Sequence, residues 1–556
     1  MKNFITVCMA VALVALSHSC TTSTETKQCC EAYVPGNELA ALENPQATTA
    51  AGVLEGVNES GVAVFRGVPF AAPPVGDLRW KAPQPVESWT GVRSAKEFGP
   101  NPMQIIAFAD MIHEAKVNSE DCLYLNIWTP ATSTAEKLPV FIYFNGGGLM
   151  NGSGSEPRYA GMSLARNGIV AITANYREDI FGFFSHPELS AETEYHGSGN
   201  YGHMDQAAAI QWVKDNIAAF GGDPDHITIM GESAGSYSVS VMMVTPLAKN
   251  NIAQAMGSSE AVVTKTIRTL EEAEAEGVEI QNKLGCANLA ELRAIPAEEL
   301  LEKGHLPEMP HAVIDGYVLL ENPYETYKKG EQAQVPCLIG NNQGEMVPQM
   351  VCGPDVSLNG VREGIKRWTG ADGEDLDKLM ELYGLTSDES VTQLPGNLLG
   401  GDYFVAFRVW KWTDVQAATS SQPVYRYRFT RARPDLVSME KRWPLYAGDK
   451  PAAPKPESPY PAPSFHSVDI VYEMGNIPTS PHYAWTAQDF DISLVFKNYF
   501  INFIKTGNPN GLGLPNWVPI NGEEIPPVML IGEKTGIERN AKLQERYRLL
   551  EKYLAK

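Results

Sequence analysis

The chain has 556 residues, of which 44% are apolar and 20% are charged, a composition typical of a globular protein with a large core. The same composition excludes disorder of the whole chain, since disordered proteins have few apolar and many charged residues. The formal net charge of −22 argues against a nucleic-acid-binding protein, because a basic track for the phosphates is not expected on such a chain.

The N-terminal segment predicts an exported protein. Lys2 is followed by an apolar run from Phe4 to Leu16 and by small residues that end at Cys20, the order of a secretory signal peptide. The run is too short to span a bilayer. Residues 1–20 resemble a bacterial lipoprotein signal, in which Cys20 becomes the lipidated first residue, and plain cleavage is the alternative.

Residues 21–51 are predicted to be a tether, because they are small and polar. No later segment has the length and apolarity of a membrane helix, so we expect any link to a membrane to run through Cys20. The protein is therefore expected in the periplasm, outside the cell or lipid-anchored to the cell envelope.

The eight cysteines do not have the spacing of a disulfide scaffold or of a metal site. Cys8 is lost with the signal, and Cys20 is the predicted lipidation site. The tether holds Cys29 and Cys30. The other four are Cys122, Cys286, Cys337 and Cys352, and we expect most of them to be buried thiols. Whether Cys286, Cys337 and Cys352 form a disulfide stays open.

Beyond the tether, strand-like and helix-like segments alternate. The stretches "LPVFIYF" (Leu138–Phe144) and "GIVAITANY" (Gly168–Tyr176) are apolar and β-branched, as in strands that are covered on both faces. Residues Asn200–Phe220 have apolar positions at helical spacing and end before "GGDPD". This rhythm predicts an α/β fold with a mostly parallel central sheet and helices on both faces.

A serine follows the next predicted strand. In "HITIMGESAG" an apolar run ends at Gly231, and Ser233 stands between Gly231 and Gly235 before a predicted helix. A G-x-S-x-G pattern in this context predicts a sharp turn that exposes the serine hydroxyl to a substrate. Because a serine hydroxyl is a weak nucleophile, it requires a base, and the base requires an orienting carboxylate.

The predicted base is His466. On a sheet of this kind the partners follow in the order serine, acid, histidine. Eight of the ten histidines precede residue 312, which leaves His466 and His482 if the acid comes after the strand-like segment 334–340. His466 lies in "PSFHSVDI", just before an apolar run, whereas His482 lies in the turn-like "SPHYAW".

The predicted acid is Glu345, which lies on the loop after the strand-like "QVPCLIG" (Gln334–Gly340). Its competitors are Asp315 and Glu321. The oxyanion of a tetrahedral intermediate also requires N–H donors. The stretch "FNGGGLM" (Phe144–Met150) follows a strand, and its glycines allow backbone amides to face a ligand; the predicted donors are the amides of Gly147, Gly148 and Ala234.

No function is assigned to two other patterns in the sequence. "GSGNYG" (Gly197–Gly202) matches the dinucleotide fingerprint, but no apolar strand precedes it, so its structural context is missing. "PAAPKPESPYPAPS" (Pro451–Ser464) is predicted to be a stiff surface loop.

Longer stretches of the chain resemble the type-B carboxylesterases, the cholinesterase-like branch of the α/β-hydrolase fold. The resemblance rests on "FRGVPFAAPPVGDLRWKAP", "SEDCLYLNIWTP", the glycine loop, "NYREDIFGFFSHPELS", "GESAGS" and "FHSVDI". It implies one α/β-hydrolase catalytic domain over 52–556 with cap or gorge insertions. It also implies the triad Ser233, Glu345 and His466, the same oxyanion donors, and an ion pair between Arg79 and Glu120.

The chain departs from the family pattern at several positions. Asn145 and Leu149 flank the three glycines, and Met346 follows the acid where the family often has glycine. Pro102 stands where a cysteine often pairs with the one in "EDCLYL", so Cys122 is expected to be unpaired. The segment 103–118 has no tryptophan to bind a quaternary ammonium group, so a choline ester is not expected as substrate.

The sequence therefore predicts a serine hydrolase that cleaves a carboxylic ester to an acid and an alcohol without a metal or organic cofactor. An amidase that uses the same triad and a non-catalytic cholinesterase-like binding protein are the alternatives. Activity is expected to fall below about pH 6–7, because a protonated imidazole cannot accept a proton. The ester is not specified, but the predicted pocket residues are Leu149, Met150, Met346, Phe404 and Trp410.

Overall fold

The computed structural model describes residues 45–105, 108, 110–263, 267–437 and 462–554. The predicted signal (1–20), most of the predicted tether and most of the proline-rich stretch lie outside the described residues. Strand β1 (Gln46–Thr48) pairs antiparallel with β2 (Val53–Glu55). The folded region therefore begins before Gly52, which corrects the predicted boundary of the tether.

The strands that follow are short, and the longest is the one before Ser233. Within the described residues they are β3 (Val57–Glu59), β4 (Val62–Pro69), β5 (Val92–Ser94), β6 (Tyr124–Thr129), β7 (Leu138–Phe144), β8 (Val170–Ala174), β9 (Gly222–Glu232), β10 (Gln254–Ser258), β11 (Arg268–Thr269), β12 (Val313–Ile314), β13 (Cys337–Asn342), β14 (Val424–Phe429), β15 (Val528–Ile531) and β16 (Gly536–Glu538).

Eleven of these strands form one sheet, in the order β16-β15-β14-β13-β10-β9-β7-β8-β6-β4-β3. The run from β15 to β8 is parallel, whereas β16 at one end and β6, β4 and β3 at the other pair antiparallel. Because parallel strands end at the same edge, loops after β7, β9, β10 and β13 can meet there. The mostly parallel sheet is as predicted.

The sheet is buried on both faces, which explains the continuous apolar runs. Along β7, Ile142 and Phe144 pack into one core cluster, and Phe141 and Tyr143 pack into a second cluster on the opposite face. This alternation follows from the two-residue period of a strand. Each face therefore needs its own cover of helices.

The helices lie on both sides of the sheet and in an insertion. In chain order they are α1 (Met162–Ala165), α2 (Asp179–Phe183), α3 (Pro187–Ala191), α4 (Tyr201–Asn216), α5 (Ala234–Met242), α6 (Leu270–Lys283), α7 (Leu289–Ala294), α8 (Ala297–Gly304), α9 (Pro323–Lys329), α10 (Gln349–Cys352), α11 (Leu358–Thr369), α12 (Gly373–Tyr383), α13 (Asp388–Val391), α14 (Leu394–Gly401), α15 (Phe407–Thr419), α16 (Ile470–Glu473), α17 (Ala487–Thr506) and α18 (Ala541–Leu554). None of the helices in the described part is long and apolar enough to cross a bilayer.

The insertion consists of α10–α15 and lies between β13 and β14, and a π-helical turn (Asp402–Ala406) joins α14 to α15. Its core is a separate apolar cluster, to which Leu379 and Leu399 contribute and on which Leu550 of α18 packs. π-helical turns inside helices are frequent at functional sites. This insertion matches the cap expected from the family resemblance.

Candidate active site

Ser233 stands on the turn between β9 and α5. Its φ of 55° and ψ of −126° lie in a region that a residue with a Cβ rarely occupies. The flanking glycines are required by close approach, since a Cβ on Gly231 would lie 2.3 Å from the carbonyl carbon of Gly235, and one on Gly235 would lie 2.1 Å from the carbonyl oxygen of Phe144. The sequence G-E-S-A-G thus forms the predicted turn.

Glu345 and His466 meet at the same edge of the sheet. Glu345 Oε2 accepts a hydrogen bond from His466 Nδ1 at 2.7 Å, and the backbone N–H of His466 donates to the carbonyl of Glu345 at 2.8 Å. Glu345 Oε1 accepts from Ser259 Oγ and from the backbone N–H of Asn342, each at 2.7 Å. The carboxylate is 1% exposed. This arrangement fixes the imidazole by one nitrogen and leaves Nε2 for chemistry.

The competing acids have other roles. Asp315 Oδ1 accepts from the backbone amides of residues 317, 318 and 319, so it closes a turn. Glu321 forms a surface ion pair with Lys329 at 2.6 Å. The competing base, His482, packs against Tyr483 with a ring separation of 4.4 Å. Of these candidates, only Glu345 contacts His466.

The second nitrogen of His466 faces Glu232, the residue before Ser233. His466 Nε2 lies 3.3 Å from Glu232 Oε1 and makes no hydrogen bond to any described residue, Ser233 included. Ser467 Oγ donates to the same carboxylate oxygen at 3.1 Å. Catalytic hydrogen bonds often form only when substrate binds, so a bond between His466 Nε2 and Ser233 is an expectation for the complex.

Electrostatics at this edge favour a charged imidazole. Burial alone would lower the pKa of His466, but the nearby carboxylates of Glu232 and Glu345 outweigh it and raise that pKa. Burial raises the pKa of Glu345 and of Glu232. The same carboxylates would stabilise an imidazolium that forms when His466 takes a proton.

The glycine loop lies beside Ser233 as predicted. Gly147 and Gly148 have φ values of 109° and 67°, and a Cβ on Gly147 would lie 1.7 Å from the carbonyl oxygen of Asn151. The amides of both glycines make no hydrogen bond to a described residue. Ala234 is the first residue of α5, so its N–H has no partner within the helix. Three amides are therefore free to bind an oxyanion.

Ser233 opens into a cavity of about 600 Å³, which we call the serine pocket. Gly148 and Ala234 line it next to the hydroxyl. Six aromatic side chains from α5, α9 and the insertion line it: Tyr237, Tyr324, Trp368, Tyr403, Phe404 and Phe407. The volume lies in the range of small-molecule sites.

Two of the five predicted pocket residues line the serine pocket, Leu149 and Phe404. Phe404 also packs edge-to-face on the His466 ring at 5.0 Å. Trp410 is a correction: it is 1% exposed and stacks on Tyr547 in the core of the insertion, because the helix turns it away from the cavity. Met150 and Met346 do not line the serine pocket either.

Sequence reasoning missed several residues of the site. Ser259 had a recognisable signal, since it follows β10 at the same edge as the nucleophile, and Glu232 stood next to Ser233 within the motif itself. Trp368 and Tyr403 had none, because they come from helices whose side-chain directions depend on the packing of the insertion.

Structural features implied by the family resemblance are present. Arg79 and Glu120 form a bidentate ion pair, with both N–O distances 2.6 Å. Cys122 is a buried free thiol, and Cys286, Cys337 and Cys352 are also free. "GSGNYG" is structural, since the side chain of Asn200 exchanges two hydrogen bonds with the backbone of Val313. No group of three metal-ligating side chains is found in the described part of the chain.

A comparison with protein families matches residues 43–549 to the carboxylesterase family. The chain belongs to this family.

Characterised relatives of this carboxylesterase include bacterial enzymes. It is 36% identical over 400 residues to fumonisin B1 esterase of Sphingopyxis macrogoltabida, a match that covers 69% of this chain and 70% of the relative. It is 31% identical over 526 residues to para-nitrobenzyl esterase of Bacillus subtilis, covering 90% and 98% of the two chains. The crystal structure of a Geobacillus stearothermophilus carboxylesterase superposes with a TM-score of 0.76 at 31% identity, covering 91% of this chain and 99% of the other.

These comparisons and the sheet topology establish the α/β-hydrolase fold. The chain is a serine carboxylic ester hydrolase, and its substrates are small-molecule esters.

Proposed function

We propose that this esterase works through an acyl-enzyme on Ser233, with His466 as the base and Glu345 as the residue that orients it. The observation that carries the proposal is the 2.7 Å bond between Glu345 Oε2 and His466 Nδ1. The other nitrogen of His466, Nε2, lies 3.3 Å from Glu232 Oε1, and Glu232 is the residue before Ser233. A histidine that is held at Nδ1 presents Nε2 as its basic nitrogen.

In the acylation step, His466 Nε2 takes the hydroxyl proton as Ser233 Oγ forms a bond to the ester carbonyl carbon. The amides of Gly147, Gly148 and Ala234 donate to the oxyanion, each worth about 3–4 kcal/mol by the usual effect of removing such a donor. The tetrahedral intermediate then breaks its bond to the alcohol oxygen, which leaves with the proton from His466. In the deacylation step, His466 Nε2 takes a proton from water as the water oxygen forms a bond to the acyl carbon. The bond from that carbon to Ser233 Oγ then breaks, Oγ takes the proton from His466, and the acid is released.

A fluorophosphonate probe tests this assignment, because it reacts with activated serines. We expect labelling of the peptide that contains Ser233 and no labelling of a Ser233→Ala variant. His466→Gln should slow the labelling of Ser233 by at least about 10³-fold. Labelling at another serine in the wild-type protein would overturn the proposal.

Matched pairs of substrates distinguish esterase activity from amidase activity. For an ester and an amide of the same acid with leaving groups of equal size, the rate of hydrolysis should be much higher for the ester. Fumonisin B1 and a para-nitrobenzyl ester belong in the same panel, because relatives of this chain are named for them. Equal rates on the ester and the amide would favour the amidase alternative.

We also propose that the protein is exported and lipid-anchored through Cys20. The support is the order of charge, apolar run and small residues in 1–20. Fractionation of cells that express the full chain should place the wild type with membranes and a Cys20→Ala variant in the soluble fraction. A mature N-terminus that starts at another residue, with no lipid attached, would contradict the anchor.

A further inference from the structure

One ion pair in the serine pocket has no part in the mechanism above. Glu260 follows Ser259, the residue that donates a hydrogen bond to Glu345. Arg408 is the second residue of α15. Both side chains line the serine pocket together with Ser233. Their side chains remain 14% and 27% exposed, so the pair lies at the wall and not in the core.

The hydrogen-bonding capacity of the pair is not filled. Arg408 donates from Nε and Nη2 to the two carboxylate oxygens of Glu260, and Nη2 also donates to the carbonyl of Phe404. Glu260 Oε1 accepts in addition from the backbone N–H of Ala261 at 2.9 Å. A carboxylate has about four acceptor sites and a guanidinium has five N–H donors. Within the described residues, one acceptor site of Glu260 and both N–H groups of Arg408 Nη1 therefore remain for a ligand.

The charges that line the serine pocket are balanced. Lys411 is paired with Glu551, and Asp402 Oδ2 lies 2.9 Å from Arg546 Nε. A substrate with a carboxylate would place its charge next to Glu260, and a substrate with an ammonium group would place its charge next to Arg408. An uncharged hydroxyl group avoids both costs, because it can donate to Glu260 or accept from Arg408.

The surface that leads to the pair is aromatic. Trp368 and Tyr403 contact each other edge-to-face with a ring separation of 5.3 Å, and Phe407 lies one residue before Arg408. Such surfaces bind another ring through offset or edge-to-face contacts, each worth about 0.5–1.5 kcal/mol beyond area burial.

We propose that Glu260 and Arg408 form a specificity-determining subsite that binds an uncharged hydroxyl group on an aromatic ring of the ester. This inference rests on the proposed function, since the ester carbonyl must be attacked at Ser233 in the same pocket. The hydroxyaryl group belongs either to the acid part or to the alcohol part of the substrate, and both present the same chemistry to the pair.

The test compares two pairs of esters that differ by one hydroxyl group. The acid arm uses methyl para-hydroxyphenylpropanoate and methyl phenylpropanoate, and the alcohol arm uses para-hydroxyphenylethyl acetate and phenylethyl acetate. The wild type should prefer the hydroxylated ester in one arm by about tenfold or more in kcat/KM, as expected for a hydrogen bond to a charged group. The arm that shows the preference assigns the ring to acid or alcohol.

The double variant Glu260→Leu with Arg408→Met removes both charges together, so neither is left unpaired. Its preference, the ratio of kcat/KM for the two esters of a pair, should fall to within about threefold of unity. The matched control is Lys411→Met with Glu551→Gln, which removes another ion pair of the same pocket and should leave the preference unchanged. Arg408→Lys is a milder variant that keeps the charge but loses the planar fork, and it should reduce the preference at least about threefold.

The absence of a preference in both wild-type arms would overturn the inference. Retention of the full preference in the Arg408→Lys and double variants would do the same, as would a higher kcat/KM for the corresponding carboxylate-bearing ester. Fluorophosphonate labelling of Ser233 keeps these results distinct from a failure of the proposed function: labelling without a hydroxyl preference removes only the subsite, whereas no labelling removes the nucleophile.

Discussion

Two regions meet at the serine pocket and are built in different ways. The catalytic edge of the sheet is held by polar contacts, since Glu345 alone accepts three hydrogen bonds with distances of 2.7 Å. The insertion α10–α15 has an apolar core and presents four aromatic side chains to the cavity. Hydrogen bonds fix direction, whereas apolar contacts fix shape and area. Changes at the edge should therefore affect every ester alike, and changes in the wall should affect some esters more than others.

The largest effect is expected from Ser233→Ala. Loss of the nucleophile should lower turnover by roughly 10³–10⁶-fold on every ester in a panel. The thermal midpoint should stay close to that of the wild type, because the alanine can occupy the same turn. Normal turnover in this variant would remove Ser233 from its role, and a loss confined to some esters would break the comparison between edge and wall.

Glu345→Gln should come next. The amide keeps the size of the side chain but can hold the wrong tautomer of His466, and a similar change in a serine protease costs about 10⁴-fold in kcat. We expect a loss of roughly 10²–10⁴-fold on all esters, measured as kcat. The control is Glu321→Gln, which removes a surface ion pair and should leave kcat within about twofold. If the two variants had equal activity, the assignment of the acid would be wrong.

The wall can be tested with two tryptophans of the insertion that have different environments. Trp368→Ala removes a pocket surface and should raise KM for an aryl ester by about tenfold, with a short-chain aliphatic ester changed by less than about threefold. Trp410→Phe acts in the core and should lower the thermal midpoint without changing the ratio of the two esters. A selectivity change in the Trp410 variant would place that side chain at the pocket after all.

The smallest effect concerns pH. The base must be neutral, and the raised pKa of His466 means that the neutral form is lost as pH falls, already above the ordinary histidine value of about 6.5. This finding moves the expected acid limb upward from the pH 6–7 that the sequence alone suggests. Glu232→Gln removes a charge 3.3 Å from Nε2, so the limb of a kcat/KM profile should shift to lower pH by about one unit. If the acid limb of the kcat/KM profile stayed at the same pH in this variant, Glu232 would not set the pKa of His466.

Much of the site could be predicted because its residues are tied to backbone turns. Ser233, Gly147 and Gly148 have positive φ values, and each follows the carboxyl end of a strand with a recognisable apolar pattern. Glu345 and His466 follow from the order of partners along the chain. Local sequence determines such positions, so a motif is enough to find them.

The rest depended on tertiary packing. Trp410 was expected in the pocket and lies in a core, whereas Arg408, two residues earlier on the same helix, lines the cavity. Residues two apart lie on nearly opposite sides of an α-helix, but the residue pattern in "GDYFVAFRVW" does not show which side faces the cavity. The position of β1 was missed for a similar reason, because a three-residue strand is defined by its partner β2.

The most direct test is the crystal structure of the fluorophosphonate adduct on Ser233, with the distance measured from His466 Nε2 to Ser233 Oγ. We predict that the imidazole leaves Glu232, keeps its bond to Glu345, and places Nε2 within about 3.2 Å of Oγ. The phosphonyl oxygen should be bound by the amides of Gly147, Gly148 and Ala234. An imidazole that remains on Glu232, more than about 5 Å from Oγ in the modified enzyme, would contradict the role of His466 as the base.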